Sequence, residues 1–144
     1  MAIFSQYFKL EEFLSSSTAR QKSIENLPSW VIVERLHELA LFLDRLREAW
    51  GSGINVTSGF RNKALNAAVG GVADSLHLKG WAADLQPSNG DMKGFKKFVV
   101  NWLKEKKFDE VIIERNSKTG ATWLHFQLYS NNGFQRCKVF KLTV

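Results

Sequence analysis

Three side chains that are able to bind a metal ion lie in two short segments of the chain. His77 and Asp84 flank a turn that Gly80 permits, and His125 follows in residues 123–128. Two imidazoles and one carboxylate leave an open position for water, which is typical of catalytic rather than structural zinc sites. These residue types therefore predict a hydrolytic zinc centre, although nickel, copper or cobalt suit the same ligands.

Strand alternation explains how these ligands can converge. Asp84 belongs to a short predicted strand in which successive residues face opposite sides. His125 belongs to a second predicted strand, where the apolar residues are expected in the core and His125 on the opposite face. Those apolar residues are Leu124, Phe126 and Leu128.

Longer motifs surround the candidate ligands. The pattern Ser-x-His-x-x-Gly-x-Ala-x-Asp spans residues 75–84, Trp-x-His spans 123–125, and Ser-Gly-Phe-Arg-Asn spans 58–62. Together they resemble the zinc D-alanyl-D-alanine carboxypeptidase/endopeptidase family, in particular its small single-domain, phage endolysin-type members. The resemblance covers nearly the whole chain, and several distinctive residues at fixed spacing make it specific.

The resemblance implies a metallopeptidase with one Zn²⁺ per chain, bound by His77, Asp84 and His125. It implies a hydrolase of peptidoglycan stem peptides, either a D-Ala-D-Ala carboxypeptidase or a wall endopeptidase, in which a metal-activated water attacks the scissile carbonyl. The alternative is a wall-binding or morphogenetic module that keeps the zinc for folding and has little or no turnover. No motif selects the peptide bond that is cut.

The general base is the point at which this chain departs from the resemblance. Family members commonly place Asp or Glu three residues before the second histidine, where this chain has Thr122, and a hydroxyl cannot act as a base near neutral pH. Glu114 is the predicted substitute, because a hairpin of residues 109–114 and 122–129 would place it opposite Thr122 or Trp123. The alternative for Glu114 is a solvated charge at a strand end.

Three further residues are candidates for substrate binding. Arg61 resembles the family's substrate-facing arginine, and its guanidinium suits a peptide carboxylate or a tetrahedral oxyanion. Its alternative is an ordinary salt bridge. Ser75 is expected to hydrogen-bond the substrate or to orient His77, and Trp123 to form a wall of the cleft, with a scaffold role as the alternative for both.

Composition bounds the remaining possibilities. A chain of 144 residues predicts one domain, a zinc peptidase domain over residues 1–144. No apolar run approaches the roughly 20 residues that cross a bilayer. The net charge of +6 suits nucleic acid or an anionic cell wall, but the lysines of residues 93–107 alternate with an apolar stripe and favour a solvated helix face. A peptidoglycan peptide is thus the predicted partner, with no nucleic acid, and the chain is expected to be a monomer.

Two features concern the compartment in which the chain works. The N-terminal residues lack the basic start and apolar run of a secretory signal. Synthesis in the cytoplasm and action on the cell wall after release, as in phage or prophage lysis, are therefore expected. Cys137 is the only cysteine, which excludes an intramolecular disulfide, and it is expected to be a small buried residue.

The order of the predicted elements favours a single α+β domain. Helices are expected at residues 9–14, from Pro28 to Trp50, at 62–69 and after Asp91, with a loop between residues 15 and 26. Strands are expected at residues 54–57, around Asp84, and at 109–114, 122–129 and 137–144. They should form a small, mainly antiparallel sheet that carries the zinc cleft, as in the hedgehog/D-Ala-D-Ala peptidase-like fold that the resemblance implies.

Overall fold

The structure, a computed structural model, describes residues 4–143. Its α-helices are α1 (Leu10–Leu14), α2 (Ser17–Gln21), α3 (Trp30–Trp50), α4 (Lys63–Ala68) and α5 (Met92–Trp102). Short 3₁₀ helices lie at Leu76–Lys79 and Leu103–Glu105. Its strands are β1 (Ile54–Ser58), β2 (Ala82–Pro87), β3 (Glu110–Arg115), β4 (Thr122–Gln127) and β5 (Lys138–Thr143). Residues 1–3, at the start of the N-terminal stretch, and Val144, at the end of the predicted last strand, lie outside the described residues.

The five strands form one mixed sheet in the order β1-β2-β4-β3-β5. Neighbouring strands are antiparallel except for the edge pair of β3 and β5, which is parallel. With the helices, this sheet confirms the predicted α+β fold and its mainly antiparallel character. Among the described helices, none combines the length and the apolar character that a membrane span requires.

Helix α3 supplies much of the core, as its apolar periodicity predicts. The prediction that Pro28 opens this helix is wrong by two residues, because Ser29 is the N-cap and its hydroxyl accepts a hydrogen bond from the backbone N–H of Ile32. Gly51 ends the helix in a left-handed conformation with φ 77°, as expected of a helix C-terminus. The buried apolar residues of the helix are Leu36, Leu39, Ala40, Leu43 and Leu46.

One face of the sheet packs against α3 and α5. The buried residues of α3 and the buried Phe95 and Val99 of α5 belong to the same apolar cluster as the alternate residues of the central strands. Those strand residues are Ala83, Leu85, Val111, Leu124 and Phe126. Because side chains alternate along each strand, the intervening residues must face the other side of the sheet, where a cleft lies.

Two other local predictions are wrong. Residues 17–21 form α2 instead of continuing a loop, because the Ser16 hydroxyl accepts a hydrogen bond from the backbone N–H of Ala19 and caps the helix. Cys137 is exposed rather than buried. It lies just before β5 with a positive φ of 53°, in a connection on the surface.

Candidate metal centre

Strands β2 and β4 bring two of the predicted ligands face to face. Asp84 and His125 are direct partners in the antiparallel ladder, so both side chains project from the same face of the sheet. One carboxylate oxygen of Asp84, Oδ1, lies 3.1 Å from Nδ1 of His125. The alternation in the two sequence segments therefore placed these side chains correctly.

His77 reaches the same carboxylate oxygen from the 3₁₀ helix Leu76–Lys79. The Ser75 hydroxyl accepts a hydrogen bond from the backbone N–H of His77 at 3.2 Å and begins the helix, and Gly80 ends it with φ 78°. This single turn carries the imidazole towards the sheet, where Nε2 of His77 lies 3.3 Å from Oδ1 of Asp84. The turn that the sequence predicted around Gly80 is therefore a capped 3₁₀ helix.

The outer nitrogen of each imidazole faces a hydrogen-bond acceptor. Nδ1 of His77 lies 2.7 Å from the carbonyl oxygen of Gly59, and a carbonyl can only accept, so this nitrogen carries the hydrogen. Nε2 of His125 lies 2.6 Å from Oε1 of Gln127. In the neutral rings the lone pairs thus belong to the inner nitrogens, which both point at Asp84.

Burial and charge act together on these three groups. Burial lowers the pKa of His77, and the attraction of Asp84 does not reverse it. Burial also acts to lower the pKa of His125, but Asp84, with smaller contributions from Gln127 and Glu114, outweighs burial and raises the pKa. For Asp84, burial acts to raise the pKa, yet His77 and His125 hold it well below its usual value. Asp84 is therefore an ionised carboxylate between two imidazoles.

This donor set fits a metal cation. Two lone-pair nitrogens and one carboxylate oxygen lie within 4.8 Å of one another, with His77 and His125 buried. Such a group of electron-rich atoms requires a positive charge among them, supplied either by a proton on Nδ1 of His125 or by a metal ion. Nitrogen and carboxylate ligands with their outer N–H groups held by acceptors are the arrangement found around protein-bound zinc.

The cleft beside the triad contains all seven residues that the sequence predicted as metal ligands, catalytic groups or substrate contacts. The lining includes the three candidate ligands and the four other candidates, which are Arg61, Ser75, Glu114 and Trp123. Alternate residues of β3 and β4 form its floor, since Glu110, Ile112 and Gln127 line it as well. The structure therefore assembles one polar site on the face of the sheet opposite the core.

Glu114 lies opposite Trp123 in the β3–β4 ladder, as the predicted hairpin requires. Its Oε2 accepts a hydrogen bond of 2.6 Å from the indole Nε1 of Trp123. Burial raises the pKa of Glu114 and the negative charge of Asp84 adds to this, whereas His125, Trp123 and Arg61 oppose it. The result is a half-buried carboxylate in the cleft with a raised pKa.

Arg61 also lines the cleft. Its backbone N–H donates to the carbonyl of His77 at 3.1 Å, and its Nη2 donates to the Ser75 hydroxyl at 3.3 Å. Nε is buried and has no hydrogen-bond partner among residues 4–143. Burial lowers the pKa of Arg61, and the attraction of Asp84 and Glu114 opposes this shift. Ser75 therefore orients both His77 and Arg61, and the guanidinium keeps donor capacity for a bound group.

Comparison with known proteins agrees with this geometry. A model of the Peptidase M15 family matches residues 6–125, which include all three candidate ligands, Arg61 and Glu114. The chain belongs to the Peptidase M15 family. None of the curated proteins matches it. Membership of M15 confirms the resemblance that the motifs predicted, and it indicates peptidase activity with a peptide substrate.

Two partners of the M15 site escaped the sequence reasoning. Gln127 follows His125 by two residues, so strand alternation places it on the same face, and this spacing was a usable signal. The carbonyl of Gly59 gave no such signal, because a backbone acceptor can be any residue type. Position 59 nevertheless requires glycine for another reason, because it lies against the backbone of Phe13.

Replacing Gly59 by alanine is expected to disturb the M15 site and the fold together. A Cβ at this position would lie 2.5 Å from the carbonyl oxygen and 2.7 Å from Cα of Phe13, and backbone atoms cannot rotate away as a side chain can. We expect Gly59→Ala to lower the free energy of unfolding by about 1–3 kcal/mol, the usual cost of overpacking. Affinity for a metal ion should fall too, because the carbonyl that holds His77 shifts. Thermal unfolding and zinc titration measure these effects, and unchanged values for both would contradict the prediction.

Proposed function

We propose that this M15 chain is a zinc-dependent peptidase that hydrolyses stem peptides of peptidoglycan. The observation that carries the proposal is the buried His77, Asp84 and His125 triad, whose inner nitrogens face one carboxylate oxygen. Arg61 and Glu114 line the same cleft and supply a cation and a second carboxylate. A peptidase needs these three functions, namely a metal centre, a proton acceptor and an anion-binding group.

The three ligands would hold the zinc through Nε2 of His77, a carboxylate oxygen of Asp84 and Nδ1 of His125. When bound, zinc polarises a carbonyl oxygen and makes water nucleophilic near neutral pH. The protein contributes the alignment, because Gly59 and Gln127 fix the outer N–H group of each imidazole. Two histidines and one carboxylate also leave room for a further ligand, in keeping with catalysis.

We assign the proton transfer to Glu114. A general base must be able to take the proton of the attacking water and later return it to the leaving amine. Glu114 lines the cleft with the triad, and its raised pKa makes it a better proton acceptor than an ordinary glutamate. The hydrogen bond from Trp123 to Oε2 fixes the carboxylate and leaves Oε1 for the water. Trp123 is therefore a positioning residue in this proposal.

Arg61 is assigned to the substrate. The bonds from Arg61 to the Ser75 hydroxyl and to the carbonyl of His77 hold the guanidinium in the cleft with the triad. Its buried Nε, which has no partner among residues 4–143, is left to donate to a peptide carboxylate or to the oxyanion of the transition state. Stem peptides carry free carboxylates, which a planar guanidinium binds through two parallel hydrogen bonds. Ser75 supports this arrangement and is a second candidate for contact with the peptide.

Arg61→Lys is expected to lower kcat/KM on wall peptides by about 10-fold or more while zinc binding stays intact, because lysine keeps the charge but loses the planar fork. Steady-state kinetics on a defined stem peptide measure the effect. Arg115→Lys is the matched control, since Arg115 is exposed on the same sheet and should tolerate the change. Unchanged kinetics for Arg61→Lys would contradict the substrate role and leave Arg61 with a structural one, through its hydrogen bonds to Ser75 and to the carbonyl of His77.

Mass spectrometry of the products from defined muropeptides tests the proposed reaction. Loss of a terminal D-alanine would identify a carboxypeptidase, and cleavage within the stem or the cross-link would identify an endopeptidase. A chain that binds one zinc but cleaves none of these substrates would instead support a wall-binding or morphogenetic module. The presence of Glu114 in the cleft favours turnover, because such a module has no need of a proton acceptor beside the metal.

We also propose that the enzyme acts on the cell wall after its release from the producing cell, as phage or prophage lysis enzymes do. The net charge of +6 supports this proposal, since cell walls present polyanions and peptide carboxylates. Co-sedimentation with purified sacculi at increasing salt tests it. Binding that is absent at low ionic strength would contradict it.

A further inference from the structure

A chain of hydrogen-bonded side chains connects His125 with the surface of the protein. From Nε2 of His125 it passes to Oε1 of Gln127 at 2.6 Å, and from Nε2 of Gln127 to Oδ2 of Asp109 at 2.9 Å. Arg136 closes it, with Nε 2.8 Å from Oδ1 and Nη2 3.0 Å from Oδ2 of Asp109. Gln127 and Arg136 both lie beyond residues 6–125, the part of the chain that the family model matches.

The chemistry of these side chains fixes which group donates and which accepts in each of their hydrogen bonds. Arginine only donates hydrogen bonds, so both oxygens of Asp109 accept from Arg136. Burial acts to raise the pKa of Asp109, but the hydrogen bonds from Arg136 and Gln127 outweigh burial and lower it. An ionised carboxylate can only accept, so Gln127 must turn its NH₂ group towards Asp109. Its carbonyl oxygen then faces His125 and accepts the hydrogen on Nε2.

We infer that Gln127, Asp109 and Arg136 are positioning residues that hold His125 in the tautomer with its hydrogen on Nε2, so that Nδ1 is presented to the metal. The inference deepens the proposed function and rests on its metal centre. The three residues act through His125 and need no contact with the substrate. Their contribution is to metal affinity first and to catalysis only through it.

The other neutral tautomer of His125 explains why these positioning residues are needed. With its hydrogen on Nδ1, neutral His125 would donate directly to Asp84, whose Oδ1 is 3.1 Å away, and this pair would occupy the metal site. Gln127 opposes that state, since its carbonyl oxygen would then face a second acceptor at 2.6 Å with no hydrogen between them. His125 and Gln127 are 8% and 7% exposed, so water is poorly placed to relieve the mismatch.

Backbone hydrogen bonds hold the strand ends that carry Asp109 and Gln127 in place, independently of the side-chain hydrogen bonds. The backbone N–H of Asp109 donates to the carbonyl of Gln127 at 2.9 Å, and that of Lys138 donates to the carbonyl of Asp109 at 3.0 Å. These bonds join the beginnings of β3 and β5 to the end of β4. Side-chain substitutions can therefore remove the polar contacts while the strands keep their register.

Gln127→Met tests the inference, because methionine has a similar length and no amide. We expect zinc affinity, measured by competition with a chelator, to fall by about 10- to 100-fold, the usual range for losing an outer partner of a metal ligand. The matched control is Gln86→Met in β2, whose amide donates to the carbonyl of Thr122 instead, and its zinc affinity should equal that of the wild type. Equal affinities for Gln127→Met and the wild type would overturn the inference.

The double variant Gln127→Glu/Asp109→Asn supplies the rescue. It exchanges an amide and a carboxylate without changing net charge, and the new carboxylate again accepts from Nε2 of His125. The amide oxygen at position 109 can still accept from Nε of Arg136, and Nη2, which loses its bond to residue 109, keeps Glu110 as its acceptor at 3.0 Å. We expect zinc affinity within a few-fold of the wild type. Should Gln127→Met fail to fold, this variant decides alone, since a loss of about 10-fold or more would overturn the inference.

Proton NMR of the zinc-loaded protein adds a readout that a merely structural role would not move. The buried N–H groups of His77 and His125 should each give a slowly exchanging imidazole resonance. Gln127→Met should lose the resonance of His125 and keep that of His77, which Gly59 holds. Both resonances surviving would overturn the inference. A wild-type chain that binds no zinc would instead refute the proposed metal centre, so the two failures are distinguishable.

Discussion

His77→Ala and His125→Ala are each expected to reduce bound zinc from one ion per chain to almost none. Either change removes one of three protein ligands and leaves the others insufficient for tight binding. Elemental analysis of the purified variants measures the metal. Since the chain has three histidines, His37→Ala is the matched control. His37 is exposed and packs edge-on against Phe4 at 5.3 Å, away from the cleft, so its loss should leave the zinc in place.

Zinc that persists at full stoichiometry in both variants would show that the ion binds elsewhere and would refute the assignment. Thermal unfolding separates loss of metal from loss of fold. The variants should melt at a lower temperature than the zinc-loaded wild type and close to the wild type treated with a chelator, because bound ligand stabilises the folded state by mass action. Melting far below the chelated wild type would indicate damage beyond the missing ligand.

The clustering of His77, Asp84 and His125 was predictable because two independent patterns agree on it. Ligand-type residues occur at family spacing in residues 75–84 and 123–125, and alternation in both segments sends their apolar neighbours into the core. Antiparallel pairing of β2 with β4 then makes Asp84 and His125 direct partners. A shift of one residue in either strand would bury the ligands on the wrong face, so the core fixes the register of the site.

The groups that hydrogen-bond the triad residues from outside could largely not be predicted from the sequence. Gly59 contributes a backbone carbonyl, and any residue type offers one. Arg136 reaches Asp109 only because β5 runs parallel to β3, and this long-range pairing leaves no local signature. The capped turns of α2 and the 3₁₀ helix at Leu76–Lys79 were missed for a related reason. Single serine caps decide such short helices, and apolar periodicity is too weak to show them.

The position of Glu114 was predicted from the sequence and is confirmed by the structure. Its position opposite Trp123 follows from the hairpin, and the structure places it in the cleft. Thr122, at the position where the resemblance implies a base, is paired with Arg115 at the start of β4. The proposed base therefore comes from the neighbouring strand and not from residue 122, the position that spacing alone would assign.

Glu114→Gln is expected to lower kcat by about 10²- to 10⁴-fold, the usual cost of losing a general base. The amide has nearly the same shape, and its oxygen can still accept from Trp123, whose Nε1 lies 2.6 Å from Oε2 in the wild type. What the variant lacks is the ability to take a proton. Zinc content should stay at one ion per chain, because Glu114 is not part of the triad. Steady-state kinetics and elemental analysis on the same preparation measure both quantities.

Thr122→Val is the matched comparison, since it also preserves volume and removes one polar group. Its hydroxyl makes only a long contact of 3.5 Å with the carbonyl of Gly120, so kcat should change far less than in Glu114→Gln. The contrast between the two variants is more informative than either value. Hydrolysis by Glu114→Gln at the wild-type rate would mean that the proton goes to another group. Because the zinc ligands are tested separately, that result would refute the assigned base and leave the metal centre standing.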